Sequence, residues 1–363
     1  MNLGFALEHS LGHTTHAQNL KRVLQDRPDI TPTYVDLPYD GMTGAWTRLP
    51  SVRSNWSLRA SLGAWLGLRR QAGRLDGALF HTQVTSLFSA GLMRRMPSVI
   101  SLDATPLQYD ALGAFYGHVP SGDARLEALK KRLNQRAFRA ARHLVTWSQW
   151  AKDSLAADYG VPLEKITVIP PGIDTARWDF ERAARPSGPV SLLFVGGDFA
   201  RKGGDTLLEA FARLPRSLDV HLHVVTKTRG VGEGIPGVTV WHDIQPNSAP
   251  LLGLFAQADL FVFPTRGDCL PLAVMEALAA GLPVITTTVG ALPEAVTHGE
   301  TGWIVPPDDA GALADALAAL AADGPLRARL AGQARAVGRE RFDASKNYGR
   351  LVETVRAVGM VHA

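Results

Sequence analysis

The sequence predicts an α/β protein built from two doubly wound parallel sheets, and three observations predict it. Short apolar runs alternate with amphipathic helical stretches along the chain. The runs fall into two series, separated by a segment punctuated with proline and glycine. At 363 residues the chain is too long for one ordinary core, so two domains are expected.

In the first series, strands are expected at Leu3–Leu7, Thr33–Leu37, Ala78–His81, Val99–Leu102 and Leu144–Trp147, with helices such as Thr15–Leu24 and Arg125–Ala141 between them. The second series runs through Ser191–Val195, Val220–Val225, Leu260–Phe263, Val284–Thr287 and Trp303–Val305. Between the two lie Pro170–Trp178 and Ala183–Pro189, which place the boundary there. The expected domains are residues 1–173 and 186–342, and a closing helix over about 343–363 is free to pack back on the first. Ligands of such sheets bind beyond the strand C-termini, so the two sheets are expected to face one cleft.

Composition narrows the class. Apolar residues make up 46% and charged residues 20%, as in globular domains. No apolar run reaches the roughly 18 residues of a membrane-spanning helix. Glu8 and His9 come too early for a secretory signal. The single cysteine, Cys269, has no partner for an internal disulfide, which fits a reducing, cytoplasmic setting. A net charge of +4 and a pI of 9.3 point to an anionic partner without naming it.

The segment Phe263–Ile285 carries the most chemistry. It leaves a strand, turns through a polar loop and opens a helix near Leu272, with Pro271 suited to the first helical position and Gly281 to the helix end. The unpaired N–H groups at that helix start form an anion site fit for a diphosphate. Asp268 precedes the helix and Glu276 lies within it; each carboxylate is able to accept two hydroxyl hydrogen bonds. Equally, Asp268 is readable as an N-cap and Glu276 as a solvated helix residue. A second segment, Phe194–Leu208, sets Arg201 and Lys202 in a glycine-bounded loop between strand and helix. Two fixed cations there would neutralise a diphosphate and stabilise it as it leaves. The bland alternative is a surface turn with two solvated cations.

These segments resemble glycosyltransferase family 4, the retaining nucleotide-sugar glycosyltransferases of GT-B fold. Asp268, seven residues, Glu276 and then Ala-Leu-Ala-Ala-Gly-Leu-Pro-Val-Ile resembles the family's Glu–seven residues–Glu signature and its sequel. Thr288–Glu294, His298–Trp303 and Val168–Asp174 also look like family segments, in family order. The resemblance implies that Lys202 binds the donor phosphates and Glu276 the donor ribose. It puts Asp268 where a longer glutamate binds the transferred sugar, and Gly197 where the family has an arginine that Arg201 would replace. The backbone of Leu270, Pro271, Leu272 and Ala273 would lie against diphosphate and sugar.

The first half would supply the acceptor side. Gly12, in the polar loop after the first strand, would let the backbone approach the donor phosphate. His13 and His16 are readable as acceptor or phosphate ligands, or as ordinary loop or capping residues; His81 ends another strand at the same edge. Asp103 falls where many family members carry a histidine near the reacting centre. It would hydrogen-bond a hydroxyl, or merely cap the turn before Pro106.

The reaction implied is metal-independent, front-face transfer of a hexosyl unit from a nucleotide-diphosphate sugar to a hydroxyl acceptor, with no further cofactor. The sequence contains no Asp-x-Asp triplet of the kind a divalent metal at the diphosphate would require. Competing readings are a nucleotide-sugar epimerase of the same fold and a non-catalytic sugar-nucleotide-binding protein. A dinucleotide oxidoreductase lacks its Gly-x-Gly-x-x-Gly after either first strand. Residues 46–74 combine arginines with Trp46, Trp56 and Trp65 and no acid. That stretch would rest on an anionic membrane surface, bind a polyanionic acceptor, or be a helix face whose tryptophans enter the core. No nucleic-acid-binding module is recognisable, so nucleic acid is not an expected partner.

Overall fold

The computed structural model describes residues 1–48, 50–117, 122–180 and 188–360. The chain divides into two compact units, one of Met1–Gly113, Val119–Gly172 and Ala344–Ala363, the other of Ala114–His118 and Ile173–Asp343.

The first unit holds strands β1 (Asn2–His9), β2 (Thr31–Pro38), β3 (Gly77–His81), β4 (Ser98–Leu102), β5 (His143–Thr146) and β6 (Ile166–Val168). They form one parallel sheet in the order β2-β1-β3-β4-β5-β6. The second unit holds β7 (Val190–Val195), β8 (Val220–Val225), β9 (Val238–Trp241), β10 (Leu260–Phe263), β11 (Val284–Thr287) and β12 (Gly302–Val305), parallel in the order β12-β11-β10-β7-β8-β9. The central strands β3, β4, β10 and β11 are buried along their whole length, which is why apolar residues dominate them without a polar alternation.

Two strands escape sequence reading. Ile166–Val168 and Val238–Trp241 lie at sheet edges, are three and four residues long, and are only half-buried, so neither shows a long apolar run. The helices of the first unit that bear on function are α1 (Leu11–Gln25), α2 (Trp56–Arg69), α3 (Ala90–Met93), α4 (Pro106–Ala111) and α5 (Ala124–Ala140). In the second unit they are α6 (Gly204–Ala212) and α7 (Leu272–Ala279). A last helix, α8 (Ala344–Met360), returns to the first unit, where Tyr348, Leu351, Val352 and Val355 join the apolar cluster under β1 and β3.

Two expectations about helix starts are corrected. The polar loop after β1 is instead the first turns of α1: Ser10 is the N-cap, so Gly12, His13 and His16 are helical. Pro271 is the N-cap of α7 rather than its first residue, with φ −73° and ψ 130°. At the other end of α7, Gly281 has φ +67°, and the bonds Gly281 N–H to Leu278 O and Leu282 N–H to Ala277 O close the helix as a Schellman motif. No helix among the described residues is long and apolar enough to cross a membrane.

Candidate active site

Each sheet reverses its winding at one point, between β1 and β3 in the first unit and between β7 and β10 in the second. A parallel sheet opens a crevice beyond the strand C-termini at such a point, because the connections leave to opposite faces. The residues singled out from sequence lie in or next to the loops that follow these strands and their neighbours, or in the first turns of the helices those loops open.

In the second unit, the loop after β7 carries Arg201 and Lys202, and the loop after β10 carries Asp268. Lys202 Nζ donates to both carboxylate oxygens of Asp268 at 2.6 Å. Arg201 Nη1 lies 3.5 Å from Asp268 Oδ1 and donates to Gly267 O at 2.8 Å, while its Nε donates to Asp198 Oδ2 at 3.2 Å. All three side chains are buried or nearly so, with exposures of 8%, 14% and 10% for Arg201, Lys202 and Asp268. They are therefore neither solvated turn cations nor a helix cap. Burial lowers the pKa of Lys202, opposed by the Asp268 charge. For Arg201 burial again lowers and Asp268 raises, and the net direction is upward.

The backbone forces this proximity. Gly203 has φ +75°, and a Cβ there would come within 1.9 Å of Pro264 O, so only glycine lets the β7 loop lie against the β10 loop. Gly290, at φ +57°, does the same beneath Asp268, where a Cβ would sit 2.2 Å from its carbonyl oxygen. Thr265, fully buried, donates from Oγ1 to Asp268 Oδ2 at 2.9 Å. The sequence does not signal this contact, because a threonine three residues before an aspartate is common.

Leu270 and Leu272 are buried, and Leu272 and Ala273 open α7 after an N-cap that provides no side-chain acceptor. Their N–H groups lie beyond reach of any intrahelical carbonyl. Glu276, one turn into α7, is 8% exposed and its carboxyl makes no hydrogen bond or ion pair among the described residues. Burial pushes its pKa up to about 7. It is not a solvated helix residue. Gly197 is in open surroundings, its nearest neighbour being Lys227 at 3.8 Å from a built Cβ.

In the first unit, His13, His16 and His81 meet at the β1–β3 crevice. His13 Nδ1 and His81 Nε2 are 3.0 Å apart, and the His16 and His81 rings stack at 4.0 Å. Trp147 lies parallel to His81 at 5.5 Å. Tyr348, from α8, donates to Gly172 O at 3.1 Å, which leaves its oxygen to accept from His16 Nδ1–H at 3.0 Å. His16 and His81 are 1% and 0% exposed, and their pKa values are held well below normal, first by burial and then by the neighbouring imidazoles. In this arrangement they support His13 rather than offer surface to a ligand, whereas His13 is 15% exposed and its Nε2 lies 3.7 Å from Asp103 Oδ2. Asp103 does not cap the following turn: Thr105 is the N-cap of α4, in a capping box with Gln108. Gly12 has no heavy atom within 4 Å of a built Cβ. Glu8, unassigned from sequence, accepts from Ser10, Thr82 and Trp56 at 2.6, 2.5 and 3.1 Å and ties β1, β3 and α2 together.

Comparison with known proteins agrees with this layout. Residues 12–177 match the model of Glycosyltransferase Family 4, and residues 189–323 that of Glycosyl transferases group 1. The chain is 33% identical over 205 residues to glycogen synthase of Mycobacterium tuberculosis, covering 53% of this chain and 48% of that protein. It is 31% identical over 237 residues to D-inositol 3-phosphate glycosyltransferase of Pseudarthrobacter chlorophenolicus, covering 60% and 56%. The chain thus spans about half the length of the curated relatives it matches. Among solved structures, HepE of Anabaena in complex with UDP superposes with TM-score 0.74 at 17% identity, over 98% of this chain and all of that one. Sucrose-phosphate synthase of Thermosynechococcus elongatus superposes with TM-score 0.75 at 18% identity, over 98% and 99%. The chain thus carries a Glycosyltransferase Family 4 domain followed by a Glycosyl transferases group 1 domain, on two parallel six-stranded sheets, and has the GT-B fold.

Proposed function

We propose that this chain is a retaining glycosyltransferase that moves a hexosyl unit from a nucleotide-diphosphate sugar to a hydroxyl acceptor without a metal. The observation that carries the reading is the buried Arg201–Lys202–Asp268 group at the β7–β10 crevice, followed at once by the uncapped start of α7. Two cations and a helix start supply what a diphosphate needs. The diphosphate competes with Asp268 for Lys202 Nζ, and Asp268, once released, turns to the sugar hydroxyls. Glu276, unpartnered among the described residues, accepts from the ribose hydroxyls.

In the reaction, the bond from the anomeric carbon to the phosphate oxygen breaks and the acceptor oxygen bonds to that carbon on the same face. The acceptor's proton passes to the departing phosphate, whose charge Arg201 and Lys202 stabilise. In the first unit, His13 and Asp103 offer the polar surface an acceptor hydroxyl requires. The test is incubation of the purified chain with UDP-, GDP- and ADP-sugars, first for thermal stabilisation and then for transfer, with product anomers followed by NMR. An inverted anomeric centre, or transfer abolished by EDTA and restored by a divalent ion, overturns the mechanism.

A cytoplasmic location with an anionic membrane surface as partner for residues 46–74 belongs to the same reading. Arg69 stacks on Trp65 at 4.2 Å and Trp56 bonds to Glu8, so these two rings are already engaged within the unit. Co-sedimentation with anionic vesicles, lost when Arg48 and Arg53 become glutamine, supports the membrane partner; unchanged sedimentation removes it.

A further inference from the structure

We propose that the groove lined by Arg94, Arg132, Arg136, Arg139, Arg142 and Lys165 is a second ligand site, which takes a compact anion bearing several phosphate groups. It lies in the first unit, away from the histidine cluster. Arg94 follows α3 just before β4, Arg142 stands immediately before β5, and Lys165 immediately before β6. All three are thus at the strand N-termini, whereas His81 and Asp103 are at or just past the C-terminal ends. The two places are separated by the length of a strand, roughly 13 Å for four residues.

Sequence and packing build the groove together. Arg132, Arg136 and Arg139 recur on α5 at the spacing that puts side chains on one helix face. Lys165 reaches the end of that helix and donates to Phe138 O at 2.9 Å and Arg139 O at 3.0 Å, which fixes its ammonium at the groove. A helix C-terminus favours one or two cations through its unpaired carbonyls. It does not account for six. No carboxylate lines the groove, and Arg94, Arg132, Arg136 and Arg139 form no ion pair among the described residues. Elsewhere in the chain, Arg27, Arg266 and Arg335 are each held by aspartate or glutamate. The groove's six positive charges exceed the net +4 of the whole chain. The crowding is felt inside it, since Lys165 has its pKa lowered by burial and then by Arg142.

Size and donor chemistry choose the ligand. The groove encloses about 680 Å³, within the range of small-molecule sites. Guanidinium groups match phosphate oxygens with paired donors, and several converging on one concavity fit clustered phosphates better than a single carboxylate.

The probe is inorganic tripolyphosphate, titrated calorimetrically into the full chain carrying Lys202→Ala, so that the site in the second unit contributes little. The same titration is run with Arg132→Gln, Arg136→Gln and Arg139→Gln added. These arginines are exposed, so an unchanged melting temperature without ligand verifies the fold. Binding should weaken at least about tenfold in the triple variant and fall with added salt. Equal affinity in both proteins, or none in either, overturns the proposal. Co-sedimentation with phosphatidylcholine vesicles, with and without phosphatidic acid, separates the sources. Groove-dependent sedimentation assigns a lipid headgroup, and tripolyphosphate binding without sedimentation assigns a soluble ligand.

Discussion

Lys202 Nζ sits 2.6 Å from both carboxylate oxygens of Asp268, a residue 66 positions further along the chain, and the pair is almost wholly withdrawn from water. Removing one partner strands the other as a buried charge, which costs more than the pair contributes. Lys202→Met should therefore destabilise the second unit by about 3 kcal/mol, and Lys202→Met with Asp268→Leu by clearly less than the two single changes summed. Urea unfolding of the four proteins measures this. Strict additivity would mean that the contact carries no coupling. Both single variants should also lose sugar-nucleotide binding.

Glu276 gives the second unit an opposite pH response to that of an ordinary salt-bridged acid. Its folded pKa of about 7 stands above the ordinary glutamate value of 4.5, so the unfolded chain ionises first as pH rises. Stability is full below about 4.5 and declines as pH climbs towards 7, by an amount on the order of 3 kcal/mol at most. Glu276→Gln should remove the decline, raising stability at pH 8 with little effect at pH 4, while weakening nucleoside-diphosphate binding. Hydrogen exchange of β10 and β11 at the two pH values reads it out within that unit.

His16 and His81 act in the other direction within the first unit. Their pKa values are depressed in the folded state, first by burial, so below the ordinary value of 6.5 the unfolded chain binds protons that the folded chain refuses. Stability present at pH 7 and above should fall as pH drops from 6.5 towards 5. His81→Gln should flatten that slope even where it lowers stability overall. A slope unchanged by the substitution would show that the cluster is not its source.

Two glycines separate steric demand from binding. Gly203→Ala meets the Pro264 carbonyl and forces an L-residue into φ +75°, so a loss of roughly 2–4 kcal/mol is expected, with Lys202 displaced from Asp268. Gly12→Ala enters open space in the first turns of α1 and should be neutral or stabilising by about 0.5 kcal/mol. If Gly12 serves a close approach to the donor phosphate, the alanine variant loses donor affinity while keeping its stability; unchanged affinity removes that role.

Much of this molecule is settled by local chemistry. Strands such as Ala78–His81 and Val284–Thr287 are legible because both faces are buried, so apolar and β-branched residues dominate them. Arg201, Lys202 and Asp268 stand out as candidates because they follow buried strands, beyond whose ends a doubly wound sheet opens its crevice. What sequence could not decide was which side chains face one another. His16 and Tyr348 come together from positions 332 residues apart, and a helix near 344–358 has no local signal that names the sheet it covers. The start of α1 and the edge strands β6 and β9 carry little local signal, because a helical histidine and a half-exposed strand of three or four residues look like loop. Hydrophobic periodicity is a property of neighbours along the chain, whereas burial of a charge or an imidazole is a property of neighbours in space, and only packing fixes the second.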